Sequence, residues 1–561
     1  MMLRRLFPIL LFAFPLFAQY TESIEVRVTN VDVVVTDRSG KPVTGLGPED
    51  FVILEDGKPQ TITNHYEVGE AAMAATTTAT GEDVHESLEP AAPAPTRKRH
   101  FLFFIDNYSL TFERNGVMKS LRGFLDQNLQ DGDDVMVVMW DRNLSVVQPF
   151  TSDKAAIAAA LAKVQKVGPH GAMLESEKKR VVDLAWETYL ASLSLSQSTS
   201  HSFGNGASSA NQSPTPAPDP ASALSLALAY SEEARALQRQ LFDAMHAMLT
   251  SMGSLEGRKV FVFAGAYMPD VPGLEIFERF SAKANGSNSA AFITTDTTSS
   301  KLPSHHEEIA KISRHANAEG VTMYTIFAED AVDVRDDPQK YREYNNSAGP
   351  MSALADLTGG TMLTKSSNYD AMFETVARDA SSYYSLGYRS NDNKPGQHAI
   401  VVKTKDPAYT VRSRKSYVVK SADERIGDRV AANVVQPAQE SEIEVKVAVG
   451  ETKKQARGEF LVPIDVTIPP SAVTLLQDGD TTMAGGFTVY IAAGTMRGGM
   501  SAVSKREQAI RIPKTNVAQL TAKPLVFHTE VLLGKGESIV SIGVVDRISN
   551  SAGYARVVVK T

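Results

Sequence analysis

The stretch RHFLFFIDNYSL, at residues 99–110, indicates the fold class of most of this chain. A run of apolar residues ends on Asp106, a loop follows, and a helical pattern comes next. In open α/β sheets, ligands bind at the carboxyl ends of such strands. The sequence therefore predicts an α/β domain in which Asp106 lies at the ligand-binding edge of the sheet.

Strands and helices alternate over residues 99–382. Short apolar runs at Val135–Trp140, Lys259–Phe263 and Val321–Phe327 are typical of strands that are buried on both faces. Helical spacing of apolar residues separates these runs, so we expect a mostly parallel sheet with helices on both faces. Residues 198–221 are rich in Ser, Asn, Gly and Pro, which predicts a disordered, low-complexity insertion within this domain.

Segments rich in predicted β-structure flank the α/β domain on both sides. Residues 19–69 predict a small N-terminal β unit, and residues 70–98, rich in Ala, Thr, Pro and Glu, predict a linker. Residues 383–420 predict further strands, which are candidates for pairing with the N-terminal β unit. After a charged linker at 421–440, residues 441–561 contain seven short strand patterns and no helical period, which predicts a β-sandwich.

Composition limits the class of protein. The chain has 561 residues, 43% of them hydrophobic and 22% charged, as in ordinary globular proteins. This length exceeds what one hydrophobic core supports, so we expect roughly three or four domains. The net charge of −8 argues against a nucleic-acid-binding protein, which usually has a basic excess. The chain has no cysteine, which excludes disulfides, thiolate metal sites and cysteine nucleophiles.

The N-terminal residues predict a secretory signal peptide at 1–18. An apolar stretch at 6–17 follows two arginines, and a plausible cleavage site ends at Ala18. An uncleaved anchor is the less favoured alternative, because two prolines interrupt the stretch and it is short for a spanning helix. No later segment reaches about eighteen uninterrupted apolar residues. We therefore expect a periplasmic or extracellular protein without a transmembrane segment after cleavage.

A set of short motifs covers about residues 24–420. The motifs are Val31–Asp37, Gly40–Val43 with Leu46, Glu49–Phe51, Glu55–Gly57, Asp131–Val135, Gly257–Lys259, Leu357–Gly360 and Tyr383–Tyr388. In this order they resemble the von Willebrand factor A-related family that is abundant in Acidobacteria. The resemblance implies a von Willebrand A-like, Rossmann-type central domain and a secreted location. The biochemical role of that family is poorly defined, so the resemblance supplies a fold and a location more than a function.

The resemblance also implies a place for a metal ion, since A-type domains bind a divalent cation at a motif that begins with an Asp. Hydroxyl residues follow that Asp two and four positions later, where this chain has Tyr108 and Leu110. A phenol ring cannot replace a short serine at that reach, leucine supplies no oxygen, and Ser109 is out of register. This loop therefore predicts an incomplete metal site.

The two other loops of such a site also lack the expected ligands. Val167–Met173 contains no threonine, and Asp270 follows its strand several residues too late. We therefore expect no cofactor, with Asp106 capping the loop or helix start that follows it. The alternative is a divalent cation (Mg²⁺, Mn²⁺ or Ca²⁺) held by Asp106, Ser109 and Asp270.

Motifs of enzymes are weak in this sequence. His305-His306-Glu307-Glu308 does not have the His-Glu-x-x-His spacing that places two imidazoles on one helical face, and a solvated first helical turn explains it better. The sequence contains no Gly-x-Ser-x-Gly elbow and no phosphate-binding loop that ends in Gly-Lys-Ser/Thr. A glycosidase-like pair among the 65 acidic residues has no sequence signal of its own. We expect that the protein is not an enzyme.

The sequence favours a secreted, non-enzymatic binding or scaffold protein with a protein partner in the cell envelope or outside the cell. The predicted contact surface consists of the loops Asp106–Glu113, His170–Met173 and Ala266–Asp270, because loops at the carboxyl ends of parallel strands converge. Three alternatives remain: a metal-dependent adhesion module, a secreted hydrolase with an accessory sandwich, and a structural envelope component. The sequence leaves the oligomeric state open. The predicted contact residues are Asp106, Tyr108, Ser109, Phe112, His170, Tyr267 and Asp270.

Overall fold

The computed structural model describes residues 28–69, 98–201, 220–284, 298–330, 335, 337–365, 368–390, 396–438, 441–495 and 500–561. The predicted signal peptide at 1–18 lies outside the described residues, as does the predicted linker except for its last residue, Lys98. Most of the predicted insertion, residues 202–219, also lies outside them.

The N-terminal segment forms four strands, β1 (Val28–Thr36), β2 (Phe51–Glu55), β3 (Lys58–Gln60) and β4 (Ile62–Val68). β2 and β3 form a hairpin in which Glu55 pairs with Lys58. The two loop residues, Asp56 and Gly57, both have positive φ, at 48° and 79°. Positive φ at both positions defines a type I′ turn, for which Asp-Gly is a favoured pair.

A six-stranded sheet forms the centre of the molecule. Its strands are β5 (Arg99–Asp106), β6 (Asp134–Trp140), β7 (Leu144–Thr151), β8 (Arg258–Gly265), β9 (Val321–Asp330) and β10 (Met362–Lys365). Their spatial order is β10-β9-β8-β5-β6-β7. All neighbours pair in parallel except β7, an edge strand that runs antiparallel to β6 and that the sequence analysis did not predict.

Helices cover both faces of the central sheet. They are α1 (Arg114–Asn128), α2 (Lys154–Lys166), α3 (Gly171–His201), α4 (Pro220–Gly253), α5 (Leu274–Ala284), α6 (His306–Ala318), α7 (Pro338–Thr358) and α8 (Tyr369–Ser381). Phe101 and Phe103 of β5 pack with α1, α2 and α8, whereas Leu102 and Phe104 pack with α4, α6 and α7. Successive strand residues point to opposite faces, so a strand between two helical layers has no face exposed to solvent, and the middle of β5 is apolar throughout.

The long helices α3 and α4 extend beyond the sheet. Together with α5 they bury a separate apolar cluster that includes Tyr189, Phe277 and Phe280. The sequence analysis did not predict α3 or α5. The helices also correct the bounds of the predicted insertion, since residues 198–201 end α3 and residues 220–221 begin α4. No helix within the described residues is both long enough and apolar enough to cross a membrane.

After the central domain, the chain returns to the N-terminal strands. It forms β11 (Tyr383–Arg389), β12 (Gly396–Thr404), β13 (Thr410–Ser413) and β14 (Ser416–Val419). One sheet has the order β13-β1-β11-β4, and the other has the order β14-β12-β2-β3. Val31, Ile53 and Leu386 belong to the apolar cluster that these strands share. The two ends of the central domain are therefore held together by strand pairing.

The segment 421–440, which the sequence analysis assigns to a linker, contains the helix α9 (Ala422–Val435). Ser421 and Glu424 form a reciprocal capping box at its start. Val435 packs into the core of the central domain, and Val430 packs against Tyr490 of the C-terminal domain. The predicted linker therefore contains a helix that connects two cores, with its charged residues on the solvated side.

Two antiparallel sheets form the C-terminal domain, and their apolar faces pack into one core. That core includes Val462 and Ile464 from the first sheet and Val489 and Ile542 from the second. The first sheet contains β15 (Lys446–Val449), β16 (Lys453–Lys454), β17 (Phe460–Ile468) and β21 (Leu525–Leu533). The second contains β18 (Leu475–Asp478), β19 (Thr482–Gly494), β20 (Ser504–Pro513), β22 (Glu537–Asp546) and β23 (Ala552–Lys560). A short helix, α10 (Val517–Thr521), precedes β21.

Candidate functional site

A cavity of about 470 Å³ lies at the carboxyl edge of the central sheet. The ends of β5 and β6 form its floor with Asp106 and Trp140, and α3 and α4 form its walls. Ligand sites of open α/β sheets lie at this edge. The lining residues are Asp106, Tyr108, Trp140, Arg142, His170, Met173, Leu174, Glu177, Tyr230, Glu233, Ala234, Leu237, Gln238, Leu241 and Tyr267.

Asp106 is fixed by Ser109. The Ser109 hydroxyl donates a 2.5 Å hydrogen bond to Oδ2 of Asp106, and the Ser109 backbone N–H donates to Oδ1 at 3.2 Å. The same hydroxyl oxygen accepts the backbone N–H of Ala266 at 2.9 Å. This chain of bonds joins the end of β5 to the residue after β8. Burial raises the pKa of Asp106 to about 7, and the hydrogen bonds from Ser109 oppose that rise only in part.

A second polar network fixes the loop between α2 and α3. The buried Arg114 guanidinium donates to the side-chain oxygen of Asn107 and to the carbonyl of Val167. Asn107 in turn donates its side-chain N–H to the Gly168 carbonyl at 2.9 Å and accepts the His170 N–H on its own carbonyl at 2.9 Å. These bonds join the loop directly to the residue that follows β5.

His170 lies at the rim of the cavity and pairs with Asp141. Its Nδ1 is 2.6 Å from Oδ1 of Asp141, the residue that follows β6. The carboxylate accepts the bond, so the imidazole carries its proton on Nδ1 in this pair. Arg142 comes next and has a φ of 62°, a left-handed conformation that is uncommon outside glycine. Such backbone strain is concentrated at functional sites.

Aromatic side chains form much of the cavity wall. The Tyr267 hydroxyl donates to Oε1 of Glu275 at 2.6 Å, and the ammonium of Lys178 lies 3.9 Å from the centre of the Tyr267 ring. The Arg142 guanidinium lies 5.9 Å from the centre of the Tyr108 ring. Burial raises the pKa of both tyrosines, so their hydroxyls stay protonated at neutral pH.

The cavity is more acidic than basic. Asp106, Glu177 and Glu233 contribute carboxyl groups, against the cation of Arg142 and the imidazole of His170. Nη2 of Arg142 lies 3.4 Å from Oε1 of Glu233. A hydrogen bond from Arg180 lowers the pKa of Glu177. Gln238 donates to the Pro269 carbonyl at 2.8 Å, but its buried Oε1 has no hydrogen-bond partner within the described residues. A ligand with a hydrogen-bond donor would match this acceptor.

The structure brings together four of the predicted contact residues and separates three. Asp106, Tyr108, His170 and Tyr267 line the cavity. Ser109 lies beneath it, buried against Asp106. Phe112 projects from the same loop with 73% of its side chain exposed. Asp270 does not line the cavity. Its carboxylate accepts a 2.7 Å hydrogen bond from the Ser304 hydroxyl instead.

Sequence reasoning missed several lining residues. Trp140 could have been identified from the sequence, because it ends an apolar run in the strand that pairs with the one ending at Asp106. Leu237 and Gln238 could not have been identified, because Leu237 has the helical spacing of an ordinary core residue.

The residues near Asp106 do not fit a Mg²⁺ or Ca²⁺ site. Such ions take six or more oxygen ligands. Both Asp106 oxygens accept bonds from Ser109, the side chain of Leu110 is fully buried, and Asp270 is engaged with Ser304. Within the described part of the chain, Asp106 belongs to no group of three His, Asp or Glu side chains close enough to share an ion. Glu55, Asp56 and His398 do form such a group, which lies in the sheet of β2 and β12 and does not line this cavity.

Comparisons with known proteins add little to this geometry. No family model matches the chain, and no curated protein matches it. Among solved structures, one match is the X-ray structure of Northeast Structural Genomics Consortium target SoR45, which is 17% identical. The match covers 21% of this chain and 86% of that chain, with a TM-score of 0.15. A likeness this weak supports no conclusion about fold or function.

Proposed function

We propose that this protein is a secreted, non-enzymatic binding or scaffold protein that holds a partner protein at the carboxyl edge of its central sheet. The main support comes from Phe112 and Met173, which are 73% and 68% exposed. They are the most exposed large apolar side chains among the described residues. Phe112 lies on the loop after β5 and Met173 in the first turn of α3, and the two segments bond to each other through His170 N–H and the Asn107 carbonyl. Exposed apolar groups beside a cavity are typical of protein-binding surfaces.

The cavity chemistry favours a cationic side chain from the partner. Tyrosine and tryptophan faces attract a Lys or Arg group, and the carboxylates of Glu177 and Glu233 add negative charge. The apolar surface of Leu237 and Leu241 suits the methylene stem of the same side chain. The partner therefore inserts a Lys or Arg side chain into the cavity beside the exposed Met173, and Phe112 on the neighbouring loop adds an apolar contact.

Binding at this surface needs no divalent cation. Ser109 satisfies both oxygens of Asp106, which supports a role for Asp106 in holding β5 and β8 in place. The alternative, a metal-dependent adhesion module, is supported by one observation: a buried carboxyl group with a raised pKa gains from a nearby cation. A requirement for Mg²⁺, Mn²⁺ or Ca²⁺ in partner binding would favour that alternative.

Hydrolysis is a second candidate function, and one specific feature supports it. The pKa of Asp106 is raised to about 7, whereas that of Glu177 is lowered, and both groups line the same cavity. Carboxyl groups with separated pKa values can act as acid and base. Binding is the preferred proposal because Asp106 is held by Ser109 on both oxygens. Turnover of chromogenic glycosides or esters that is lost in Asp106→Asn would reverse this preference.

The proposal includes a von Willebrand A-like assignment for the central domain and export of the protein to the periplasm or the outside of the cell. The motifs from Val31 to Tyr388 support the first part, and the apolar stretch at residues 6–17 supports the second. N-terminal sequencing of the exported chain tests the second part. A mature N-terminus at Gln19 is expected, whereas an intact N-terminus would indicate an anchor.

A peptide selection tests the binding surface. Displayed random peptides are selected on the immobilised full chain and then measured on variants. Leu237→Arg fills the cavity and is expected to abolish binding, whereas Leu228→Arg, on the same helix but 40% exposed outside the cavity, is expected to leave it unchanged.

A second pair of variants tests the exposed apolar side chain of Phe112. Phe112→Ser is expected to weaken binding at least tenfold, and Leu476→Ser, at a 56% exposed position of the C-terminal domain, is the control. Selected peptides should be enriched in Lys or Arg beside apolar residues. Peptides that bind all four variants equally would contradict the proposed surface.

A further inference from the structure

A second group of candidate ligands lies on the sheet of β2 and β12, one of the two sheets that join the N-terminal segment to residues 383–420. Glu55 ends β2, Asp56 follows in the hairpin turn, and His398 lies on β12. Glu55 pairs with Ile400 across the two strands, so His398 is two residues from that partner and faces the same side of the sheet. One ligand atom from each of the three side chains lies within 4.8 Å of the other two.

Distances between the donor atoms match those around a small metal ion. Nδ1 of His398 is 2.9 Å from Oδ2 of Asp56 and 3.5 Å from Oε1 of Glu55. Zinc binds nitrogen and carboxylate oxygen at about 2.0–2.2 Å, so two ligands of a tetrahedral ion lie about 3.4 Å apart. The two distances from the imidazole nitrogen therefore lie within about half an ångström of this spacing, and the third pair of ligand atoms is within 4.8 Å.

The surrounding groups orient the carboxylates as ligands. The Ala399 N–H donates to Oδ1 of Asp56 at 2.8 Å, which leaves Oδ2 facing the imidazole. The hydroxyls of Tyr417 and Ser390 donate to Oε1 of Glu55 at 2.9 and 2.7 Å. Ligating carboxylates in metal sites are held by outer hydrogen bonds of this kind.

The Oε2 oxygen of Glu55, unlike Oε1 beside His398, is left without a hydrogen bond among the described residues. Glu55 is only 3% exposed. A buried carboxylate oxygen without a partner is costly, and buried charges are normally paired or bound to a metal. The ring of Tyr417 lies over the ring of His398, with centres 5.2 Å apart and planes at 24°, which fixes the imidazole.

We propose that Glu55, Asp56 and His398 bind one divalent transition-metal ion, for which Zn²⁺ is the probe. Three protein ligands leave a fourth coordination position for water, and the half-exposed Asp56 gives the site contact with solvent. The ion joins two parts of the chain that are more than 300 residues apart, since Asp56 and His398 bond across a separation of 342 residues. It thereby clamps the strands that enter and leave the central domain.

The test is a titration of the tag-free full chain, stripped with EDTA, with Zn²⁺ in a calorimeter. One Zn²⁺ per chain is expected, with at least tenfold weaker binding in Asp56→Asn and in His398→Ala. Asp56→Asn keeps the fold testable, because Asn-Gly is also favoured in a type I′ turn. The control is His528→Ala, which removes an exposed His–Asp pair of the C-terminal domain, where His528 Nδ1 is 2.6 Å from Asp465.

Each outcome decides the proposal. Tenfold losses in Asp56→Asn and His398→Ala with unchanged binding in His528→Ala support the site. Absence of Zn²⁺ binding in the wild type, or equal binding in all variants, overturns it. If His398→Ala does not fold, Asp56→Asn against His528→Ala gives the same decision.

Discussion

The hydroxyl of Ser109 links two neighbouring strands, since it donates to Asp106 at the end of β5 and accepts the Ala266 N–H that follows β8. All three residues are buried or nearly so. A buried hydroxyl that bonds on both sides cannot be removed without leaving partners unsatisfied. The floor of the cavity therefore depends on Ser109 as much as on Asp106.

Ser109→Ala is expected to lower the free energy of unfolding by about 1–3 kcal/mol, because Asp106 and the Ala266 N–H both lose a partner in a buried place. Urea unfolding at pH 7 measures the change. Ser176→Ala removes an exposed hydroxyl that donates to the Ala172 carbonyl within its own helix, so it is the control with little expected effect. Equal stability of the two variants would contradict the role of Ser109.

The pH dependence of stability should report on Asp106. Its pKa is raised from 3.8 to about 7 in the folded chain, so the folded state binds more protons than the unfolded state between these values. The extra proton binding stabilises the folded state. This contribution to the free energy of unfolding is fully present below about pH 3.8 and is lost as the pH rises through about 7. Asp106→Asn cannot ionise, so its stability relative to the wild type should increase from pH 4 to pH 7.

Urea unfolding of Asp106→Asn and the wild type at several pH values measures this difference. Other groups affect both proteins equally, so the difference isolates Asp106. A constant difference across the range would show that Asp106 titrates normally.

His246 should make the stability of the folded chain depend on pH in the opposite direction. Burial and the neighbouring His315, whose Nδ1 is 2.7 Å from Nδ1 of His246, lower the pKa of His246 from 6.5 to about 4. The unfolded chain therefore binds more protons between these values, and stability falls as the pH is lowered from about 6.5 to about 4. His246→Gln should flatten this fall, and His528→Gln, at an exposed pair, should not. Identical slopes in all three proteins would exclude His246 as the source.

Gly171 tests how tightly the loop before α3 packs on the cavity floor. A Cβ at this position would lie 2.3 Å from the Ser109 carbonyl oxygen and 2.6 Å from that of Leu110. Gly171→Ala should therefore destabilise the chain by about 1–3 kcal/mol and weaken peptide binding. A Cβ at Gly168, in the loop before α3, would meet no atom of the described residues within 4 Å, so Gly168→Ala should leave stability and binding close to wild type. A neutral Gly171→Ala would indicate that this loop is free to move.

The inner parallel strands of the central sheet could be predicted from the sequence, because a strand between two helical layers has a continuous run of apolar residues. Phe101 to Ile105 face the two layers in turn, so every position is apolar. The edge strand β7 lacks this signal, since Ser145 and Gln148 interrupt its apolar residues. The helix α9 was missed because Asp423 and Glu424 in its first turn resemble a solvated linker.

Residues of the candidate site could be predicted from the sequence only where they directly follow a strand. Asp106 and Tyr108 follow β5 directly and could be named from the sequence, as could Tyr267 after β8. Glu55 and His398 could not, because only the pairing of β2 with β12 brings them together. The likeness to von Willebrand A-related proteins, the secreted location and the protein partner remain predictions that the comparisons leave untested.

The most direct test of the central claim is the affinity of a selected Lys- or Arg-containing peptide for the full chain, measured by fluorescence anisotropy in EDTA and again in millimolar Mg²⁺ or Ca²⁺. The proposed metal-independent cavity predicts equal affinity in both conditions and loss of binding in Leu237→Arg. Binding that requires either cation, or that persists in Leu237→Arg, would contradict it.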